Sequence, residues 1–309
     1  MPAVAASQQQ LPLELLAAGT GAAITDTLFN SLENAKVRMQ LSRRHVYRTL
    51  PCTIVRVVRE EGLLRGLWLP GLVASWIRAY TAVAFRVGTY PTIRDAFGAN
   101  GFTGRLAAGA VSGAIGAALF SPIELVRTRM IAEAGNVCSS SALLTTGVSI
   151  GQRPKYRTTA HAFNRIAREE GLRGMWRGAS ASVSRAALLS GAQLATYDSS
   201  KRWAKATLGI DRDEPVALHF ACAFLSGLVA QAVSMPVDTA RSRMMSQVGT
   251  VGGRVDGGLM ACVVGIVREE GAPALYRGLT PALCRQGPVM LVQMPLIEQL
   301  RSALGLEFL

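Results

Sequence analysis

The sequence predicts an all-α membrane protein: six transmembrane helices in three tandem two-helix repeats with pseudo-threefold symmetry. Three observations carry that reading. The string REEG occurs at 59–62, 168–171 and 268–271, its starts 109 and 100 residues apart, and an aromatic follows each copy: Trp68, Trp176 and Tyr276. A period near one hundred residues argues for an internal triplication. The composition is half apolar and only 17% charged, with a mean hydropathy of +0.26, which leans towards a lipid environment. Finally, six apolar stretches each approach or exceed the ~20 residues that a spanning helix needs.

The chain opens on a tail, 1–10, with no basic residue, so neither a secretory n-region nor an Arg-rich cleaved presequence is evident and internal segments must direct any import. The repeats are read as 11–100, 101–210 and 211–309. The apolar stretches run roughly 11–40, 71–97, 106–132, 178–204, 215–245 and 278–304, interrupted by Asp26, Arg78, Arg86, Arg185 and Arg285. A charge at the bilayer centre costs about 2.5–3.5 kcal/mol, so these side chains should face a water-filled interior. In the third stretch Gly109 and Gly113 form a GxxxG spacing suited to close helix contact. Shorter amphipathic pieces join the members of each pair. Two of them, 47–62 and 156–171, open on Tyr-Arg-Thr and read as helices lying in the interface plane. Repeat two carries an extra polar loop at about 135–155: 47 residues separate Glu124 from Gly171, against 29 from Glu33 to Gly62 and 33 from Asp238 to Gly271.

The net charge of +13 admits nucleic acid, an anionic lipid surface or an anionic solute as partner. No block of five Lys or Arg and no zinc-finger spacing occurs, which sets nucleic acid aside. The five cysteines include no CxxC pair, so neither a disulfide framework nor a metal site is indicated, and most read as small packing residues. There is no GxxxxGK loop, no HExxH and no nucleophile–base pair, so an enzyme is not predicted.

Each odd stretch ends in a related string: SLENAKVR from Ser31, PIELVRTR from Pro122 and PVDTARSR from Pro236. Acid and first base are three apart and share a helix face. A single copy would be an ordinary surface ion pair worth about 0–1 kcal/mol. Three copies around a threefold axis would let each acid meet a neighbour's base and close a ring. With the trailing EGLRGMWRG and EGAPALYRG, these strings resemble the signature of the mitochondrial carrier family over residues 11–304. Repeat one departs from it, with Ser31 for proline and Leu69-Pro70 before its glycine. The resemblance implies a mitochondrial inner-membrane, multi-pass carrier, functional as a monomer, with short amphipathic helices on the matrix side. It implies a matrix gate of Glu33–Arg127, Glu124–Arg241 and Asp238–Lys36, with Gln40 as a brace. It implies a cytoplasmic gate of Asp198–Arg301 and Glu298–Arg94; Pro91 stands where an acid would face Lys201, so that gate is expected to be weak.

The repeated acids Glu61, Glu170 and Glu270 sit in the last turn of a helix, where the dipole disfavours them. Arg38, Arg129 and Arg243, five residues past the ring acids, are expected to hold them, tying odd helix to interfacial helix. The glycine then ends that helix. The aromatic-Arg-Gly turn opens the next one, where backbone N–H groups could hold an anionic membrane lipid; the resemblance implies cardiolipin.

Seven residues beyond Gly71, Gly178 and Gly278 stand Arg78, Arg185 and Arg285. Equivalent positions in equivalent repeats lie at one depth, so three guanidiniums would converge near the midplane, too deep to snorkel. Guanidinium forks suit carboxylates bidentately, and a small anionic metabolite is the expected ligand. Arg86 adds positive potential. Asp26 is the one acid facing this cavity, either a proton carrier or a structural partner. Within the family, the surrounding text looks like the branch of dicarboxylate, oxoglutarate/malate and oxaloacetate carriers and uncoupling proteins, with Gln193 nearer the carboxylate carriers. The function read is exchange of small di- or tricarboxylates by alternating access. An uncoupling-type proton or anion transporter and a non-transporting scaffold of the same fold are the alternatives. No cofactor is expected.

Overall fold

The structure is a computed structural model describing residues 2–42, 46–47, 49–96, 102–138, 140–208, 216–246 and 258–304. The long helices are α1 (Pro2–Leu41), α3 (Leu72–Ala96), α7 (Ala179–Leu208), α8 (Val216–Ser246) and α10 (Leu279–Ala303). A sixth path is made of two pieces, α4 (Phe102–Leu119) and α5 (Ser121–Ala132). The tail expected at 1–10 continues α1 from Pro2, as its Ala and Gln content favours. Neighbours close on themselves: α1 packs on α3 and α10, α3 on α4, α4 on α7, α7 on α8, and α8 on α10. The result is a ring of six helix paths around a central axis. Three short helices, α2 (Leu50–Glu61), α6 (Thr159–Met175) and α9 (Gly258–Glu270), follow the odd paths at one end.

The distribution of side chains is inverted relative to a protein in water. Leu28, Ile77, Leu119, Val233 and Leu291 are exposed, whereas Asp26, Asn30, Asn34, Lys36, Arg38 and Gln40 are buried. Lipid is the solvent such a surface fits. Among the described residues one helix, Ala221–Ser246, is long and apolar enough to cross a membrane by composition alone. The inward-facing charges of the other paths dilute their apolar signal.

Each repeat builds its own apolar cluster beneath its short helix. Met39, Leu50 and Val57 form the first, Leu125, Ala162 and Ile166 the second, and Met244, Cys262 and Ile266 the third. A glycine with positive φ then ends α2 and α9 and kinks α6: Gly62 at +84°, Gly271 at +84° and Gly171 at +68°. With ψ near 160–180° that conformation belongs essentially to glycine, which explains why the triplet EG recurs.

Three expectations are corrected. The third stretch, read as one helix over 106–132, breaks at Phe120 because Pro122 has no N–H for the Ala118 carbonyl and its ring crowds that group. The indole of Trp176, the aromatic of repeat two's signature, donates to that freed carbonyl at 3.0 Å. The GxxxG pair makes no close contact: a Cβ on Gly109 or Gly113 would meet nothing within 4 Å. Close approach occurs at Gly19 and Gly21 instead, against Tyr80 and Ile297. Cys222 and Cys262 are buried as packing residues; Cys52 and Cys284 are exposed, against the packing reading.

Candidate functional site

The odd helix paths deliver their acid–base strings to one level, where a ring of ion pairs crosses the axis. Lys36 pairs with Asp238. Arg241 meets Glu124 at 2.6 Å, its Nε donating to Ser182 at 2.8 Å. The third expected pair, Glu33–Arg127, does not form. Arg127 donates to Asn30 Oδ1 at 3.2 Å, and Glu33 lies 3.6 Å from Arg285. Asn30, one turn before Asn34 on α1, supplies a buried acceptor that sequence pattern alone did not flag. Gln40 is not a brace on an ion pair either: its Oε1 accepts from Ser242 at 2.7 Å, because Ser242 of the neighbouring repeat lies directly opposite.

Above the ring the three arginines converge as the sequence predicts, but they are engaged. Each reaches the ring acid of the next repeat. Arg78 Nε is 3.5 Å from Glu124, Arg185 Nε is 2.8 Å from Asp238, and Arg285 Nε is 3.6 Å from Glu33. This second set of links runs in the opposite rotational sense to the ring, whose bases Arg241 and Lys36 reach the acid of the preceding repeat. Sequence reasoning assigned each acid a single base and so missed it. Asp26 bridges two of the arginines, at 2.6 Å from Arg78 and 2.9 Å from Arg285. The space they enclose is about 130 Å³ and also meets Gln231, which is seven residues before Asp238 just as Asp26 is before Glu33. Among the described residues, six cations (Lys36, Arg78, Arg127, Arg185, Arg241 and Arg285) face four carboxylates (Asp26, Glu33, Glu124 and Asp238), leaving two positive charges in excess. The side chains of Arg86 and Arg94 lie outside the described residues.

At the opposite end the expected Asp198–Arg301 pair is not formed, and the expected Glu298–Arg94 pair lies outside the described residues. Among the described residues neither Asp198 nor Glu298 comes within ion-pair distance of Arg301, which instead lies 3.3 Å from Glu14 of α1. Asp198 and the half-buried Lys201 stand on α7, with α8 between it and α10. Glu298 is exposed. The molecule is therefore shut at the ring, and among the described residues the Asp198–Arg301 pair expected at the other end is not formed.

Outside the ring, the repeated EG acids find their arginines. Arg38 takes Glu61 in a buried fork of 2.8 and 2.6 Å. Arg129 binds Glu170, with one bond at 2.9 Å, and Arg243 binds Glu270, with one at 3.1 Å. These arginines also cross to the next repeat: Arg129 Nε donates to the Met245 carbonyl and Arg243 Nε to the Gln40 carbonyl, each at 3.0 Å. The motif arginines join in, Arg277 pairing with Glu270 and Arg177 lying 3.6 Å from Glu170. Burial raises the Glu270 carboxyl, yet the bonds from Arg243 and Arg277 outweigh it and hold the group below its ordinary value. In repeat one Asn34 donates to the Leu67 carbonyl at 2.6 Å and to the Pro70 carbonyl at 3.2 Å, fixing the aberrant Leu69-Pro70 turn.

A family model described as "Mitochondrial carrier protein" matches three times in succession, over 7–101, 98–207 and 212–307. The chain belongs to the mitochondrial carrier family. This carrier is thus a multi-pass transporter of the inner mitochondrial membrane. It is similar to the "Putative mitochondrial transporter UCP3" of Sus scrofa, 32% identical over 306 residues that span 94% of this chain and 92% of that protein. The Homo sapiens protein of the same name is 31% identical over 309 residues, covering 95% and 93%. The carrier is also similar to "Mitochondrial uncoupling protein 6" of Arabidopsis thaliana, 32% identical over 254 residues, covering 80% and 69%.

Proposed function

We propose that the carrier exchanges small dianions, dicarboxylates or oxoacids such as malate, oxoglutarate or oxaloacetate, through the arginine-lined cavity. The observation that carries this reading is the excess of two positive charges around three inward-facing guanidiniums, which a dianion neutralises. A solute gains bidentate bonds from Arg78, Arg185 and Arg285 only by displacing their present partners. Apart from Asp26 on Arg78, those partners belong to neighbouring repeats, so displacing Glu124, Asp238 and Glu33 removes links between repeats at the ring. Solute binding therefore favours opening of that end, by as much as its affinity differs between the two states. When the solute leaves, the arginines return to Glu33, Glu124 and Asp238 and the ring is again doubly held.

The test is a competition panel in proteoliposomes: mono-, di- and tricarboxylates, phosphate, nucleotides and amino acids against labelled malate or oxoglutarate. Inhibition confined to small di- and tricarboxylates is the expected pattern. Exchange of ADP without dicarboxylate exchange would refute the assignment.

A second reading, proton conduction of the uncoupling type, draws on the printed names of the relatives, and Asp26 would be its proton site. The two guanidiniums on Asp26 favour its role as a structural partner instead. A pH-sensitive dye in the liposome lumen separates the readings. Fatty-acid-dependent acidification that Asp26→Asn abolishes would support the second one. We further propose that the starts of α7 and α10 hold an anionic lipid such as cardiolipin and that the monomer is the working unit. Stabilisation of delipidated protein by cardiolipin add-back, but not by a zwitterionic lipid, tests the former; single-copy nanodiscs test the latter.

A further inference from the structure

One segment breaks the threefold pattern: the loop between α5 and α6, whose extra length sets repeat two apart. It has its own internal bonding. The Thr145 N–H donates to the Asn136 carbonyl at 2.8 Å, the Leu144 N–H to the Gln152 carbonyl at 2.9 Å, and Val137 and Leu144 form an antiparallel bridge. Its outer contacts fall on repeat one rather than on its own repeat alone. Asn136 Nδ2 donates to the Glu60 carbonyl at 2.5 Å. Val148 packs against the repeat-one cluster that includes Leu50 and Val57, and also into the seam formed by Val37, Leu41 and Ile131.

Arg38 shows the same asymmetry. Its counterparts Arg129 and Arg243 reach the end of the next odd helix through Nε, whereas Arg38 Nη2 donates to the Ala134 carbonyl of this loop at 3.3 Å. Gly147 closes the arrangement: at φ +92°, a Cβ there would stand 2.3 Å from the Ala134 carbonyl oxygen and 3.6 Å from Glu61. The loop backbone is thus pressed onto the buried Arg38–Glu61 fork.

We propose that this loop is a strap across the seam between repeats one and two, which must be released before the ring end of the carrier can open. The proposal rests on the alternating-access reading above, but not on the identity of the solute. Opening that end moves α1 and α2 away from α5 and α6. Along this seam the movement breaks the Arg127–Asn30 hydrogen bond, the Arg78–Glu124 link and the strap; the other two seams carry the ring ion pairs, and their repeats have no comparable insertion in sequence. The strap thus stands at the one seam whose ring ion pair does not form, and it biases the resting carrier towards the state closed at the ring.

The test reads conformation directly. Cys52, Cys138 and Cys284 are replaced by serine, and Ile131→Cys, buried beneath Val148, reports opening through its labelling by a membrane-impermeant maleimide. Releasing the strap with Gly147→Val and Asn136→Ala should speed labelling at least roughly tenfold, the factor that 1.4 kcal/mol sets in a two-state equilibrium. Locking it should do the reverse. Glu60→Cys and Asn136→Cys joined by a short bis-maleimide should protect position 131 and arrest exchange, whereas the unjoined pair should not. This second variant stands even if the released one folds poorly. Equal labelling with the strap free or locked would overturn the proposal. Failure of every carboxylate in the uptake panel would leave the labelling result untouched, so the two readings fail separately.

Discussion

Arg38 and Glu61 are both buried to within a few per cent, and their fork is the most enclosed ion pair described in the molecule. Removing one partner strands the other, which costs about 3–5 kcal/mol in buried pairs. Arg38→Gln is therefore expected to lower the thermal midpoint in detergent sharply, and Arg129→Gln should do so less, because Glu170 is partly exposed. Equal midpoints for wild type and both variants would contradict the clasp role. Glu270 adds a pH dependence whose sign is set by its lowered folded pKa. Its stabilisation is fully present above the ordinary value of 4.5 and fades as pH falls through the lower folded value. Unfolding midpoints measured from pH 7 to 3 should show Glu270→Gln destabilised at neutral pH, with the gap to wild type closing in acid. A gap that widens in acid would reverse that sign.

At the level of elements, the break between α4 and α5 follows from Pro122, and Pro236 interrupts α8 at the equivalent place without splitting it. Pro122→Ala restores a donor for the Ala118 carbonyl and removes the ring clash. The variant is expected to hold or raise the thermal midpoint while slowing exchange, since a hinge of the moving path has stiffened. Repeat one has no such proline; there Asn34 satisfies the Leu67 and Pro70 carbonyls. Asn34→Ala takes this donor from the Leu67 carbonyl, while Asn30 still reaches Pro70, and should cost about 1–3 kcal/mol in an unfolding titration. The helix order, the short helices and the Arg–Glu clasps were all legible, because each is written three times and periodic burial repeats with them. The split at Phe120 and the loose GxxxG were not. A helix breaker and a small-residue spacing carry the same letters whether or not a neighbour comes close.

Across the whole molecule, the placement of Arg78, Arg185 and Arg285 could be read from equal spacing to three glycines, which fixes depth. Their partners could not, since an acid with two candidate bases shares its charge according to rotamers that spacing does not encode. Glu33 accordingly went to Arg285 rather than Arg127, and Asn30 filled the vacancy on Arg127. The Asp198–Arg301 pair is absent for a different reason: a gate motif describes contacts of the state that closes it, and this structure is closed at the ring. The central claim is that three symmetry-related guanidiniums share one dianion. Its most direct test is initial-rate uptake of labelled malate or oxoglutarate into proteoliposomes by wild type and by Arg78→Ala, Arg185→Ala and Arg285→Ala. The account predicts exchange by wild type and loss of at least 90% of it, roughly the tenfold that 1.4 kcal/mol of lost binding sets, in each variant at matched incorporation. Undiminished uptake in any one of the three would contradict it.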